Sequence, residues 1–213
     1  MAKKLLIINN EKDADDFGWI PVIKKAISII EEVEFVVIHH SEISEEKLEE
    51  IRPDLIYATG RVTYDWTLEE ILEDYASEIE MMKTTEIPTL GVCAGHQLMA
   101  IAYGASFGKM VEEAEGEEPI RETGFQEISI IEQAPILNNL DNPFVCYEFH
   151  RDEVKGMPDE FILLASTDMC RIQAMKHRKK NLFGVQFHPE QYNNENLDGQ
   201  VILKNFLNMA HTN

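Results

Sequence analysis

TLGVCAGHQ, residues Thr89 to Gln97, decides how the rest of the chain is read. Pro88 introduces a short apolar run, Thr89 to Val92, with the character of a strand, and Gly95 to Tyr103 reads as the opening of a helix, so Cys93 falls on the turn between them. Gly91 and Gly95 stand two residues before and two after Cys93. That is the spacing of a nucleophile elbow, where a sharp strand-to-helix turn leaves no room for side chains beside the reactive residue. A cysteine so placed sits at a helix start, where unpaired N–H groups and the positive dipole end favour the thiolate, the form that attacks carbonyl carbon. The backbone N–H of Ala94 is expected on the same side, available to an oxyanion. A lone free cysteine is more often a small buried hydrophobe, so a base must be found elsewhere in the chain.

Working outward, the elements before the elbow alternate. Leu5 to Ile8 reads as a fully buried strand, followed by the acidic loop Glu11 to Asp16. Pro21 suits the first turn of a helix whose apolar residues Val22, Ile23, Ala26, Ile27 and Ile30 recur at helical spacing. Phe35 to Ile38 is a second strand, Ser44 starts a short helix with Glu45 and Glu46 in its first turn, and Leu55 to Ala58 is a third strand. Thr67 with Glu70 has capping-box spacing ahead of a long helix reaching Met82. Strands alternating with helices predict an α/β fold: a doubly wound, mostly parallel sheet with helices on both faces. In such sheets the working groups gather at the carboxyl ends of the strands, where Gly60 and Cys93 both lie.

After Gly104 the pattern changes. Glu112 to Glu118 carries glutamates 112, 113, 115, 117 and 118 around Gly116, which reads as a solvated loop. Short strand-like pieces then follow one another at Glu127–Ile131, Phe144–Phe149, Phe161–Ala165, Arg171–Met175 and Leu182–Phe187, predicting an antiparallel flank in the C-terminal half. Asp198 is expected to cap a final helix bearing Val201, Ile202, Phe206 and Met209. No linker or repeat divides the chain, so residues 1–213 read as one domain.

Composition narrows the function. A net charge of −20 argues against nucleic acid, because a phosphate backbone needs Lys and Arg to neutralise it. The three cysteines, Cys93, Cys146 and Cys170, are odd in number and widely spaced, supporting neither a disulfide framework nor a zinc site. No apolar stretch is long enough for a signal-peptide core or a membrane span, so a soluble, cytoplasmic protein without a membrane partner is expected. No metal or organic cofactor is indicated.

The base lies far downstream, in GVQFHPE, Gly184 to Glu190. A strand ends at His188, Pro189 restricts the turn, and Glu190 is two residues on, a spacing that can bring carboxylate and imidazole to one side. A cysteine nucleophile needs a base to take its proton and return it to the leaving amine, and that base needs a carboxylate to fix its tautomer. His188 and Glu190 fill these roles in the reading, and His96, one turn past Cys93, is assigned to packing or a hydrogen bond.

GVCAGHQ and GVQFHPE, in this order, resemble the two signature motifs of the class I glutamine amidotransferases, the Cys, His and Glu triad glutaminases of flavodoxin-like fold. The resemblance runs nearly the full chain. It implies that Cys93, His188 and Glu190 hydrolyse L-glutamine through a Cys93 thioester, with ammonia as the useful product. It also implies that Gly60 and Ala94 form the oxyanion hole, although the family's Gly-Gly-Pro turn here reads Ala58, Thr59, Gly60, Arg61. Gln97 matches a family residue that contacts substrate. FHRDEV, Phe149 to Val154, and ASTDMCRIQAM, Ala165 to Met175, are similar to the GMP synthase glutaminases. The first implies that the backbone of Arg151 and Asp152 holds the ends of glutamine. Arg151 stands where that subgroup has glycine, so the GMP product does not follow directly.

The chain ends soon after Glu190, with no room for a synthetase domain. The expectation is therefore a separate synthase subunit that receives the ammonia, with a GMP-synthase-like partner as one candidate, and with Arg61 and the glutamate run placed to meet it. Two other readings stand beside this one: a γ-glutamyl hydrolase acting on γ-glutamyl amides or peptides, and a catalytically silent regulatory or binding protein of the same fold.

Overall fold

A computed structural model of the chain describes residues 2–62, 66–111 and 120–210. The glutamate run at 112–118 lies outside the described residues. The first half alternates as expected: β1 (Lys3–Asn9), α1 (Ile20–Ile30), β2 (Val33–His39), α2 (Glu45–Ile51), β3 (Leu55–Ala58), α3 (Leu68–Asp74), α4 (Ala76–Thr84), β4 (Thr89–Val92) and α5 (Ala94–Ala102). Then come β5 (Phe107–Lys109), β6 (Glu122–Ile130), β7 (Phe144–His150), β8 (Asp152–Val154), β9 (Phe161–Ser166), β10 (Ala174–His177), β11 (Leu182–Val185) and α6 (Asp198–Leu207).

The main sheet has nine strands in the order β2-β1-β3-β4-β11-β10-β9-β6-β7. β2, β1, β3, β4 and β11 run parallel; β10, β9, β6 and β7 are antiparallel additions. Alternation along β1 sends Leu5 and Ile7 to the layer of α1 and α6, with Ile23, Ile27 and Phe206. Leu6 and Ile8 go to the opposite layer, with Met82 of α4 and Leu98 of α5. Because both faces are covered, β1 is apolar at consecutive positions from Leu5 to Ile8 and β3 from Leu55 to Ala58, and not at every second one.

Three local readings are corrected. The single helix expected from Thr67 to Met82 breaks at Tyr75, whose hydroxyl donates to the Asn10 carbonyl at 2.9 Å and whose ring stacks on His40 at 3.9 Å. Thr67 and Glu70 do form the capping box. Asp198 does not cap α6: its carboxylate accepts from the Val145 amide at 2.7 Å and ties the helix to β7. The strand expected at Arg171–Met175 lies later, at β10, because Cys170 and Gln173 close a turn onto Thr167 and Ala165 and the register slips at Ala174. The β5 and β8 ribbon, three residues a side, is too short to leave a periodic signal.

Candidate active site

The register of β3, β4 and β11, neighbours in the sheet, sets the site. Val185 pairs with Val92 in parallel, and Cys93 N–H extends the ladder by donating to the Val185 carbonyl at 2.8 Å. Cys93 and His188, far apart in sequence, thus leave adjacent strands at the same end. At Cys93 the chain turns into α5 with φ 51° and ψ −103°, left-handed strain that a non-glycine residue holds only when its surroundings enforce it. The two glycines permit that turn: a Cβ on Gly91 would lie 2.6 Å from the Gly95 carbonyl oxygen, and one on Gly95 would strike Ala58.

His188 is 1% exposed. Its Nδ1 is 2.7 Å from Glu190 Oε1, and Tyr57 of β3 donates its hydroxyl to Glu190 Oε2 at 2.9 Å. Among the described residues Nε2 is held by no oxygen or nitrogen, and Cys93 lies close enough to act on the ring. Burial disfavours the imidazolium, but Glu190 and Cys93 outweigh it and hold the His188 pKa well above its ordinary value. Gly60 packs against both groups: a Cβ there would stand 2.9 Å from His188 Cε1 and 3.3 Å from Cys93 Cβ. A hydrogen bond from His188 N–H to the Tyr147 carbonyl, 2.7 Å, anchors this end of the chain to β7.

Residues 22–210 match the family described as glutamine amidotransferase class-I. The chain belongs to this family. Among its relatives, the A subunit of the glutamine-hydrolyzing GMP synthase of Methanopyrus kandleri is 44% identical over 127 residues, 60% of this chain and 63% of that protein, so the match spans less than two thirds of the relative's length. The protein of the same description from Pyrococcus furiosus is 36% identical over 163 residues, covering 76% of this chain and 78% of its own. The crystal structure of a protein described as a candidate A subunit of GMP synthase from Thermoplasma acidophilum superposes with a TM-score of 0.79 at 24% identity, over 99% of this chain and 94% of that one, a likeness of fold.

In this class I amidotransferase a pocket opens beside the elbow, lined by Arg61, Trp66, Cys93, Gln97, His150 and Asp152 among others. Gln97 is there, but its amide nitrogen is committed, donating to the Asp152 carbonyl at 3.0 Å and to Gln186 Oε1 at 3.2 Å. Only its Oε1 is left for a ligand. Asp152 lines the pocket, whereas Arg151 does not; its guanidinium lies 3.3 Å from the Asp152 carboxylate. Arg61, expected at the mouth, is 5% exposed and sits over the Trp66 ring at 5.0 Å. Thr59, which replaces the family's first glycine, accepts the Asn10 amide on its hydroxyl at 3.1 Å and so fastens the loop after β3 to the end of β1. His96 is fully buried, and burial above all holds its ring neutral, at a pKa of about 3.

Sequence reasoning missed Tyr57, Trp19 and His150. Tyr57 carried a signal, since a tyrosine in a strand buried on both faces must find an acceptor for its hydroxyl. Trp19, whose ring packs 4.8 Å from that of His188, carried none. Among the described residues no helix is long and apolar enough to cross a membrane.

Proposed function

We propose that the chain is a glutaminase that hydrolyses L-glutamine to L-glutamate and ammonia, with Cys93 as nucleophile, His188 as general acid and base, and Glu190 as the carboxylate that orients His188. The observation that carries it is His188 itself. One ring nitrogen is fixed by Glu190 and the other is uncommitted beside a strained elbow cysteine.

In this reading the Cys93 thiolate attacks the side-chain amide carbon of glutamine, and the oxyanion is received by the N–H groups of Gly60 and Ala94. The tetrahedral intermediate collapses as His188 Nε2–H gives its proton to the departing nitrogen, releasing ammonia and leaving a thioester. Water then attacks the thioester carbon while His188 takes a proton from it. Collapse releases glutamate and restores the thiolate beside the imidazolium. Gln97, Arg151 and Asp152 are assigned to holding the amino-acid end of the substrate, Asp152 through the wall of the pocket and Arg151 through its backbone.

The ammonia passes to a separate synthase subunit. Relatives described as the A subunit of a glutamine-hydrolyzing GMP synthase support this step. A net charge of −20 suits a partner with a basic docking face. Three free, buried cysteines suit a cytoplasmic location. The test is trapping with a glutamine-analogue electrophile, alongside ammonia release from glutamine and from γ-glutamyl peptides. Labelling of Cys93 that disappears in Cys93→Ala, with ammonia released from glutamine, is the expected result. Turnover that survives Cys93→Ala would overturn the assignment, and a preference for γ-glutamyl peptides would replace the substrate.

A further inference from the structure

Behind the pocket lies a second set of the same residue types, Cys170, His150 and Glu122, whose polar atoms all fall within 4.8 Å of one another. It is wired differently from the first. His150, the last residue of β7, is 1% exposed. Its Nε2 is 3.0 Å from Glu122 Oε2 and 3.2 Å from Glu148 Oε2, and its Nδ1 is 3.1 Å from the Asp152 carbonyl oxygen. The Asp152 carbonyl can only accept, so Nδ1 carries a proton, and Nε2 is turned to two carboxylates and away from the thiol's use. Cys170 is fully buried and burial raises its pKa, so it is a thiol without a base.

The carboxyl groups close off the other side of the ring. Glu122 also accepts from Gln173 Nε2 at 2.8 Å and from the Thr167 hydroxyl at 2.7 Å. Glu148 is 0% exposed, and among the described residues its ion-pair neighbour is His150. Burial alone would strip the His150 proton, yet Glu122 and Glu148 reverse that and hold its pKa at about 10. The Nδ1–H of His150 and Nε2–H of Gln97 converge on one oxygen, the Asp152 carbonyl, so the backbone at the pocket wall is pinned by two donors from different elements.

Resting on the reading of Cys93 as nucleophile, we propose that His150 is a positioning residue whose Nδ1–H, together with Gln97, fixes the Asp152 peptide for substrate at the wall of the Cys93 pocket. The groups facing it are Glu122 from β6, Glu148 from its own strand, Cys170, His96 of α5, Cys93 across the pocket, and Arg61, which lines the same pocket. Of the two thiols Cys93 is the one that opens on the pocket.

Two readouts separate this role from simple packing. In His150→Gln, the Nδ1–H donor to the Asp152 carbonyl is gone. KM for glutamine should rise about tenfold, by more than kcat falls. His150→Lys keeps a positive charge but not the bond to Asp152, so it should not recover KM. For a variant that fails to fold, the wild-type protein answers: a 15N spectrum at pH 8 should show a proton on Nδ1 of His150. A ring without that proton, or a His150→Gln KM equal to wild type, overturns the proposal. Turnover surviving in Cys93→Ala would instead remove the nucleophile on which it rests.

Discussion

Tyr57 and Glu190, 133 residues apart in sequence, are joined by a hydrogen bond of 2.9 Å in which the buried phenol donates to the carboxylate oxygen that His188 does not use. Glu190 is thereby held on both oxygens, by the imidazole on one side and by the third strand on the other. The geometry of the proposed base therefore depends on the core of the parallel sheet.

Tyr57→Phe should lower kcat about tenfold with a smaller change in KM. A hydrogen bond to a buried charged group is worth roughly 1.5–3 kcal/mol, and part of that is lost as reorientation of the base. Steady-state kinetics on glutamine checks it, and kcat within twofold of wild type would show that His188 alone orients Glu190.

Gly60→Ala keeps the backbone N–H but should displace it, lowering turnover by up to roughly 100-fold, the scale set by an oxyanion-hole donor. The added methyl would stand 2.9 Å from His188 Cε1, in a ring already packed against Trp19, so the imidazole or the loop must move. Thermal melting measured beside activity should show a far smaller effect on stability. Retention of half the activity would mean that the ring yields without consequence.

Glu78 is fully buried, and that burial holds its carboxyl at about 8 despite a hydrogen bond from the Asn10 amide. Between its ordinary value and about 8 the folded chain keeps a proton that the unfolded chain releases, so stability falls as pH rises through this window. Glu78→Gln removes the titration while leaving an acceptor for Asn10. Its melting temperature should gain on wild type progressively from pH 5 to pH 8, and a difference that is flat with pH would refute the account.

Asp198→Ala should destabilise the fold by about 2 kcal/mol, read from denaturant unfolding, because the Val145 amide loses its charged acceptor. A change under about 0.5 kcal/mol would assign the carboxylate only to the dipole of α6.

Local sequence determined a great deal of this protein. Apolar runs of strand length, broken by helical periods, specify a doubly wound sheet, and the Gly91, Cys93, Gly95 spacing specifies the elbow, because only glycine fits against the turn. His188 and Glu190 are two residues apart, so their pairing is also legible from the chain. What the tertiary structure decided are contacts whose partners come from different strands and loops: Tyr57 with Glu190, Trp19 over His188, and His150 with Glu122. The reason is physical. Periodicity and turn chemistry are set by neighbours in sequence, whereas the protonation of a buried imidazole is set by whichever charges the register of distant strands places around it. His188 and His150 are alike as histidines in a chain, and only their surroundings leave one with a free nitrogen and the other with none.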